Sequence, residues 1–152
     1  MQRNTIGLLV LIVLITGVGI YGWLAYNRKV EPIKNDLPAF TVSAEEIISE
    51  FETNDSIPTN KYLGKLIQVS GITKQVDKDD QGFYTVVLGD TSSMSSVRCA
   101  MDSVFASAVN TLQQGQVTGV KGIFTGYQKD DTGLLGSDII LNRCVIELKQ
   151  SR

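Results

Sequence analysis

The apolar residues of this chain follow two different patterns, and the first is a continuous run. Residues 6–26, which read IGLLVLIVLITGVGIYGWLAY, contain no charged residue. As a helix, this run would measure roughly 31 Å at about 1.5 Å per residue, which matches the hydrocarbon core of a bilayer. Tyr21, Trp23 and Tyr26 lie toward its end, where aromatic rings favour the headgroup region, and Arg28 and Lys29 follow. The pattern predicts a single transmembrane helix over about residues 6–26.

A cleaved signal peptide is the alternative interpretation of the same run. The apolar part of a signal peptide usually spans about 7–15 residues and is followed by a small-x-small cleavage site. The run here is longer, and no such site follows it. No cysteine lies near its end, so a lipid-anchored cysteine is also excluded. We therefore predict that residues 1–29 form an uncleaved membrane anchor that binds the lipid bilayer through residues 6–26.

The residues after the anchor predict a short tether and then a helix. Residues 30–40 carry Pro32 and Pro38 among charged residues without an apolar period, which is typical of an extended linker. Ser43 and Glu46 then have the spacing of a capping box, in which each side chain satisfies a free backbone N–H of the other. The apolar residues that follow lie on one helical face: Ala44, Ile47, Ile48 and Phe51. We expect this lead-in helix to end near residues 52–55, before Pro58.

From residue 66 onward the chain predicts five strands with one short helix among them. The strands cover 66–76, 83–88, 96–101, 116–127 and 138–148, and a helical period covers 104–112 with Gly115 beyond its end. Gly71 lies in the middle of the long first strand, where a bulge or sharp bend is expected.

Three strands, a helix and two more strands follow one another in the order of an OB-fold, a five-stranded, partly open barrel. The fold class is therefore mainly β, with residues 41–152 as the OB-like domain. The pattern alone leaves another small barrel or a split sandwich open.

The composition of this domain limits the catalytic and metal-binding sites that it can contain. Residues 30–152 contain 11 Lys and Arg against 16 Asp and Glu, a net charge of −5. The chain contains no histidine, which excludes Ser-His-Asp and Cys-His nucleophiles, histidine haem ligands and histidine-based zinc sites. We predict no catalysis and no cofactor or metal site.

Several short motifs are spread over residues 43–146. They are Ser43-Ala44-Glu45-Glu46-Ile47 with Phe51 and Asn54, Tyr62-x-Gly64-Lys65 before Ile67-x-Val69-Ser70-Gly71, Val97-x-Cys99-x-Met101, Gly115-Gln116 before Gly122, and Leu141-x-x-Cys144-x-Ile146. In these motifs the chain resembles the tRNA-anticodon-like (tRNA_anti-like) family of small OB-fold proteins of the bacterial envelope. The resemblance implies the fold more than an activity. Many similar proteins look like lipoproteins, whereas this chain has an apolar segment in place of the anchoring cysteine.

The two cysteines lie in separate predicted strands. Cys99 is in the third strand and Cys144 in the fifth, and these strands are neighbours in an OB barrel. A disulfide between them would indicate an oxidising compartment. The alternative is that both are free thiols buried as small apolar residues.

Candidate ligand-binding residues come from the way OB domains bind single-stranded nucleic acids, by stacking bases on aromatic rings in a basic groove. The candidates are Phe83, Tyr84, Arg98, Lys121 and Tyr127, with Lys74 and Lys78 nearby. The acidic domain opposes nucleic-acid binding, because affinity for phosphates depends on positive charge. We predict instead a protein, peptide or glycan ligand, and keep nucleic acid as the alternative.

Two loops contain motifs that occur in functional sites of other proteins. Residues 77–82, DKDDQG, resemble the start of a calcium-binding EF-hand loop, but Leu88 stands where the bidentate Glu is required. We interpret them as a hairpin turn, with weak Ca²⁺ binding as a further alternative. Asp131-Thr132-Gly133 matches the triplet of aspartic proteases but lies in a polar loop, and we interpret it as a turn.

Membrane orientation is ambiguous in the sequence. Arg3 precedes the apolar run, while Arg28, Lys29 and Lys34 follow it, and a literal positive-inside count would place the domain in the cytoplasm. The first segment of a short-tailed protein, however, often inserts with its amino terminus inside. We predict a single-pass protein of the bacterial cytoplasmic membrane that displays an OB-like binding or assembly module on the extracytoplasmic side.

Overall fold

A computed structural model of the chain describes residues 14–23, 26, 33–132 and 135–147. The chain divides into two compact units, Met1–Glu31 and Pro32–Arg152. In the first unit, residues 14–23 and 26 are helical, and the rest of the predicted membrane helix lies outside the described residues. Among the residues that the structure describes, no helix has the length and apolar character needed to cross a bilayer.

The second unit contains a closed five-stranded barrel and one additional short strand. The strands are β1 (Phe40–Ser43), β2 (Leu66–Lys78), β3 (Tyr84–Leu88), β4 (Ser96–Met101), β5 (Val117–Gln128) and β6 (Asp138–Glu147). Neighbouring strands follow the order β1-β2-β3-β4-β6-β5, and β5 also pairs with β2, which closes the barrel. The β4–β6 pair is parallel, and the other barrel pairs are antiparallel. This is the strand arrangement of an OB-fold, and the predicted fold class and strand order are confirmed.

The long strand β2 belongs to both halves of the barrel. Its first half pairs with β5 and its second half with β3, with a register shift between Thr73 and Gln75. The irregularity therefore lies a few residues beyond Gly71, the position predicted from sequence. At Gly71 itself, a Cβ atom would lie 2.7 Å from the Cβ of Ala44. The glycine thus allows the lead-in helix to approach the barrel wall closely.

The lead-in helix begins as the sequence predicts. Helix α1 spans Ala44–Thr53, the Ser43 hydroxyl accepts a bond from the Glu46 N–H, and the Glu46 carboxylate accepts one from the Ser43 N–H. All four apolar residues of the predicted face are buried. Capping residues of this kind contribute about 1 kcal/mol to helix stability.

A second helix follows that the sequence analysis did not predict. Helix α2 spans Ser56–Tyr62, and Pro58 lies in its first turn. Proline is tolerated there because the first N–H groups of a helix have no partner within the helix. The Asn54 side chain accepts bonds from the N–H groups of Ser56 and Ile57 instead. The lead-in helix does end before Pro58, as predicted, but the proline then belongs to a second helix that the sequence pattern did not indicate.

The described part of the predicted tether packs against the barrel. A 3-10 turn spans Ile33–Asn35, and β1 begins at Phe40 and runs parallel to the first half of β2. Ile33 is buried, and the backbone carbonyl of Asp36 accepts a bond from the Lys121 ammonium at 2.9 Å. This segment is thus held by specific contacts with the barrel and is not an extended linker.

The helix between β4 and β5 is shorter than predicted. A 3-10 turn, Ser103–Phe105, leads into α3, Ala106–Val109, so helical structure covers 103–109 instead of 104–112. Val109 is buried as its spacing predicts, but Val104 is 69% exposed. The Asp102 side chain accepts a bond from the Val104 N–H, which turns the chain tightly at this point and leaves Val104 outside the core.

Candidate functional site

An open groove lies on the outer face of the barrel, where β3, β4 and β6 run side by side. Alternation along these strands places Val86, Cys99 and Leu141 inside the barrel, so their neighbours point outward. The groove has a volume of about 360 Å³ and is lined by Thr85, Arg98, Ala100, Gln128, Asp138 and Ile140. We call it the outer groove. In OB-folds this face and the adjoining loops form the usual ligand-binding surface.

The charged side chains of the outer groove are partly paired. The Arg98 guanidinium lies 3.8 Å from an Asp138 carboxylate oxygen and 4.0 Å from one of Asp77. The Ser96 hydroxyl donates to the other oxygen of Asp138 at 2.9 Å. Ion pairs this long and this exposed contribute less than about 1 kcal/mol each. A ligand can therefore replace either partner of Arg98 at little cost.

The strands and loops that surround the outer groove are acidic. Residues 77–88, 96–101 and 128–138 contain six carboxylates (Asp77, Asp79, Asp80, Asp130, Asp131 and Asp138) and three cations (Lys78, Arg98 and Lys129). Clustered like charges raise the local concentration of ions of the opposite sign. The charge around the outer groove is therefore predominantly negative.

In the hairpin loop, Asp79 stabilises the turn. One of its carboxylate oxygens accepts bonds from the N–H groups of Gln81 and Phe83. That oxygen is therefore occupied by the backbone of its own loop, as in an Asx turn. Within the described ranges, no group of three or more acidic or cysteine side chains is arranged to hold a metal ion.

The five candidate ligand residues from the sequence do not form one surface. Arg98 lies in the outer groove, whereas Phe83, 51% exposed, lies at the end of the hairpin loop before β3 and does not line the groove. Tyr84 packs against the core and donates its hydroxyl to the Asn110 side chain at 2.8 Å. The Lys78 ammonium lies 5.3 Å from the centre of the Tyr84 ring.

Two of the candidates have structural positions away from this groove. The Tyr127 ring stacks on Phe51 with a centroid distance of 4.7 Å, so it joins the lead-in helix to the barrel. Lys121 is 4% exposed, donates to the Asp36 carbonyl and pairs with Glu147 at 2.8 Å. Neither side chain lines the outer groove.

The sequence predicted a ligand face made of the second and third barrel strands with loops 77–82 and 128–137. Those segments contain Thr85, Ala100 and Gln128, although none of the three was named as a site residue, and they do not contain Asp138 or Ile140. The signal that identifies the lining residues is strand alternation. Thr85 and Arg98 each stand next to apolar residues of the barrel interior, and both therefore point outward.

A second groove lies between the two helices before the barrel. It has a volume of about 470 Å³, and its wall includes Glu50, Ile57, Pro58 and Lys61. Glu50 accepts bonds from the Lys61 ammonium at 3.0 Å and from the Tyr62 hydroxyl at 2.9 Å. Burial raises the pKa of the Tyr62 phenol. The charged groups here satisfy one another and hold the two helices together.

The two cysteines are free and buried in the structure. Neither side chain is accessible to solvent. Burial, followed by a hydrogen bond to Cys99, raises the pKa of the Cys144 thiol well above its usual value. The strands bring the two side chains together, as expected from sequence, while the disulfide itself stays a prediction.

The sequence model of the tRNA_anti-like family matches residues 1–139, which is most of the chain. The chain belongs to the tRNA_anti-like family. The recognition made from the short motifs is therefore confirmed. Comparison with curated proteins finds no significant match.

Comparison with solved structures finds several to which this tRNA_anti-like chain is similar. A candidate nucleic acid-binding lipoprotein from Klebsiella pneumoniae superposes with a TM-score of 0.54 at 18% identity, over 70% of this chain and 91% of that protein. An OBody bound to hen egg-white lysozyme has a TM-score of 0.42 at 15% identity, covering 57% of this chain and 84% of the OBody. Asparaginyl-tRNA synthetase from Pyrococcus horikoshii has a TM-score of 0.38 at 12% identity, covering 57% of this chain and 20% of the enzyme.

Proposed function

We propose that this protein is a membrane-anchored, non-catalytic binding module whose outer groove holds an extended peptide segment with basic side chains. The observation that carries the proposal is the charge of the groove: Arg98 stands between Asp77 and Asp138, inside a predominantly acidic edge. Lysine or arginine of a ligand would pair with the aspartates, and a ligand carbonyl or carboxylate with Arg98. Thr85 and Gln128 offer polar groups to a peptide backbone.

Support for the anchor comes from the amino-terminal sequence. The uncharged run at 6–26 has the length of a membrane span, and its described residues 14–23 and 26 are helical. The family match begins at residue 1 and therefore includes this run. We propose that the barrel is displayed on the extracytoplasmic side of a bacterial cytoplasmic membrane.

Binding can be measured with two defined probes: a fluorescein-labelled dodecapeptide of alternating Lys and Ser, and a fluorescein-labelled oligothymidine of equal length. We expect saturable binding of the peptide to the full chain by fluorescence anisotropy. Asp138→Asn should raise the peptide Kd about twofold to fivefold, because an exposed charge pair contributes up to about 1 kcal/mol.

The matched control is Glu45→Gln, which removes the same charge from an exposed position of α1. It should leave the peptide Kd unchanged. An equal effect of both variants would mean that the peptide responds to net charge alone, and the outer groove would then not be its site.

Nucleic acid is the second candidate ligand. The observation that favours it is the shared fold with the Klebsiella protein, together with the half-exposed Phe83 ring at the end of the hairpin loop before β3. Saturable oligothymidine binding at low salt, weakened by Phe83→Ala, would replace the peptide assignment. We expect no such binding, because the acidic edge repels phosphates.

The proposed location has a separate test in intact cells. Protease added outside cells whose outer membrane has been made permeable should digest the barrel, while a cytoplasmic marker protein stays intact. Protection of the barrel until the cytoplasmic membrane is lysed would contradict the proposed orientation.

A further inference from the structure

The strand register brings Cys99 and Cys144 to the same place in the barrel interior. On the parallel β4–β6 pair, Cys99 stands opposite Leu141, and Met101 stands opposite Cys144. The register shifts between these two pairs, and Arg143, next to Cys144, has a φ of 55°. Because of this irregularity, Cys144 stands opposite Met101 rather than one residue further along β4. Cys99 and Cys144 are therefore diagonal neighbours on the interior face.

The barrel covers both side chains, and neither residue has solvent-accessible surface. Cys99 is near enough to Cys144 to contribute, after burial, to the raised pKa of the Cys144 thiol. The Cys144 sulfur also packs over Gly122 of β5, where a Cβ atom would come within 2.5 Å of it. Both thiols are therefore enclosed in the barrel interior on the paired strands β4 and β6, with β5 over the Cys144 sulfur.

We propose that Cys99 and Cys144 form a disulfide when the chain folds in an oxidising compartment. The two S–H bonds are lost as two protons leave, one S–S bond forms, and two electrons reduce the disulfide of an oxidant to two thiols. The oxidant is a small-molecule disulfide or a thiol–disulfide oxidoreductase, and it reacts through a mixed disulfide with one of the cysteines. The product would connect β4 to β6 across 45 residues of chain.

The burial of the pair determines when this reaction takes place. Only a thiolate that the oxidant can reach reacts, and the closed barrel prevents access to both thiols. Oxidation therefore belongs to the folding chain, before β6 completes the barrel. Once folded, the dithiol resists oxidation. The oxidation state of the cysteine pair therefore depends on the compartment in which the chain folded. It does not depend on the ligand of the outer groove.

The test compares folding with and without an oxidant present. The full chain is reduced and unfolded in urea, freed of reductant, and refolded in a mixture of oxidised and reduced glutathione. After quenching with an alkylating reagent in denaturant, mass spectrometry should find a monomer two hydrogen masses below the dithiol, without adducts. A peptide map should join the Cys99 and Cys144 peptides. The same glutathione mixture added to the folded, reduced chain should leave two alkylatable thiols.

Two results would overturn the inference. Refolded chains with two alkylated thiols, glutathione adducts or intermolecular crosslinks would show that the cysteines do not pair. A linked monomer without the circular dichroism spectrum of the reduced, folded chain would show that the bond forms only in a non-native state. Cys99→Ser and Cys144→Ser serve as controls, because each should leave one thiol that acquires glutathione on refolding.

Discussion

Replacement of Phe51 by alanine is expected to destabilise the protein by about 3–5 kcal/mol, a large part of the roughly 5–15 kcal/mol that stabilises a typical domain. The Phe51 ring is only 2% exposed. It stacks on Tyr127 at 4.7 Å and lies 5.3 Å from the Phe124 ring, so its removal leaves a cavity between the helix and the barrel. Urea denaturation of the full chain, followed by circular dichroism, measures the effect.

The control for this variant lies on the neighbouring helix. Ile57 of α2 is 68% exposed, and Ile57→Ala should change the free energy of unfolding by no more than about 0.5 kcal/mol. If Phe51→Ala cost less than about 1 kcal/mol, α1 would not belong to the cooperative unit formed by the barrel. The lead-in helix would then be an appendage rather than one wall of the core.

Gly136→Ala is expected to cost about 2–4 kcal/mol, because it combines backbone strain with a clash that no side chain can relieve. Gly136 has a φ of 75°, a left-handed conformation that alanine adopts at a cost. An added Cβ would lie 2.3 Å from the carbonyl carbon of Met94 and 2.5 Å from the Ser95 nitrogen. Both are backbone atoms, so the two loops that meet here must separate.

Hydrogen exchange reports this separation directly. The Ser96 N–H donates to the Ser137 carbonyl, and the Ser137 N–H donates to the Ser95 hydroxyl. Both amides should exchange faster in Gly136→Ala, before the protein unfolds globally. Gly126→Ala is the matched control, since Gly126 lies in β5 with a negative φ and no atom within 4 Å of its added Cβ. Equal protection of both loop amides in the two variants would contradict the prediction.

Because Asp138 follows this loop immediately, the same substitution also tests the outer groove. Ser96 donates to the Asp138 carboxylate, and a displaced loop would move that carboxylate away from Arg98. Gly136→Ala should therefore weaken binding of the Lys-Ser peptide, whereas Gly126→Ala should not. This outcome would connect the loop geometry to the proposed ligand surface.

Strand periodicity and the order of the elements predicted the five strands and favoured the OB barrel, and the pattern alone left another small barrel or a split sandwich open. Side chains alternate between the two faces of a strand, so short segments such as 96–101 can be recognised from neighbouring residues. The capping box at Ser43 is equally local, since both of its partners lie within three residues. Helix α2 was not predicted, and the reason is also local. In a sequence, a proline in the first turn of a helix cannot be told from a proline that follows the end of one.

The candidate ligand set failed to form one surface because residue type alone does not show what covers an outward side chain. Tyr127 has the chemistry of a base-stacking residue, but Phe51 of α1 packs on its ring. Lys121 has the charge of a phosphate ligand, but the chain before β1 passes over it, and Asp36 and Glu147 bind its ammonium group. A segment distant in sequence decides both positions.

The sequence by itself thus determined the order of the strands, the lead-in helix with its buried face, the acidic character of the domain and the absence of histidine chemistry. These features depend on neighbouring residues or on composition. Only the tertiary structure decided which outward residues remain exposed, because this depends on contacts such as that between Asp36 and Lys121, which are 85 residues apart. The outer groove and the adjacent buried thiols arise in the same way, where strands distant in sequence become neighbours as the barrel closes.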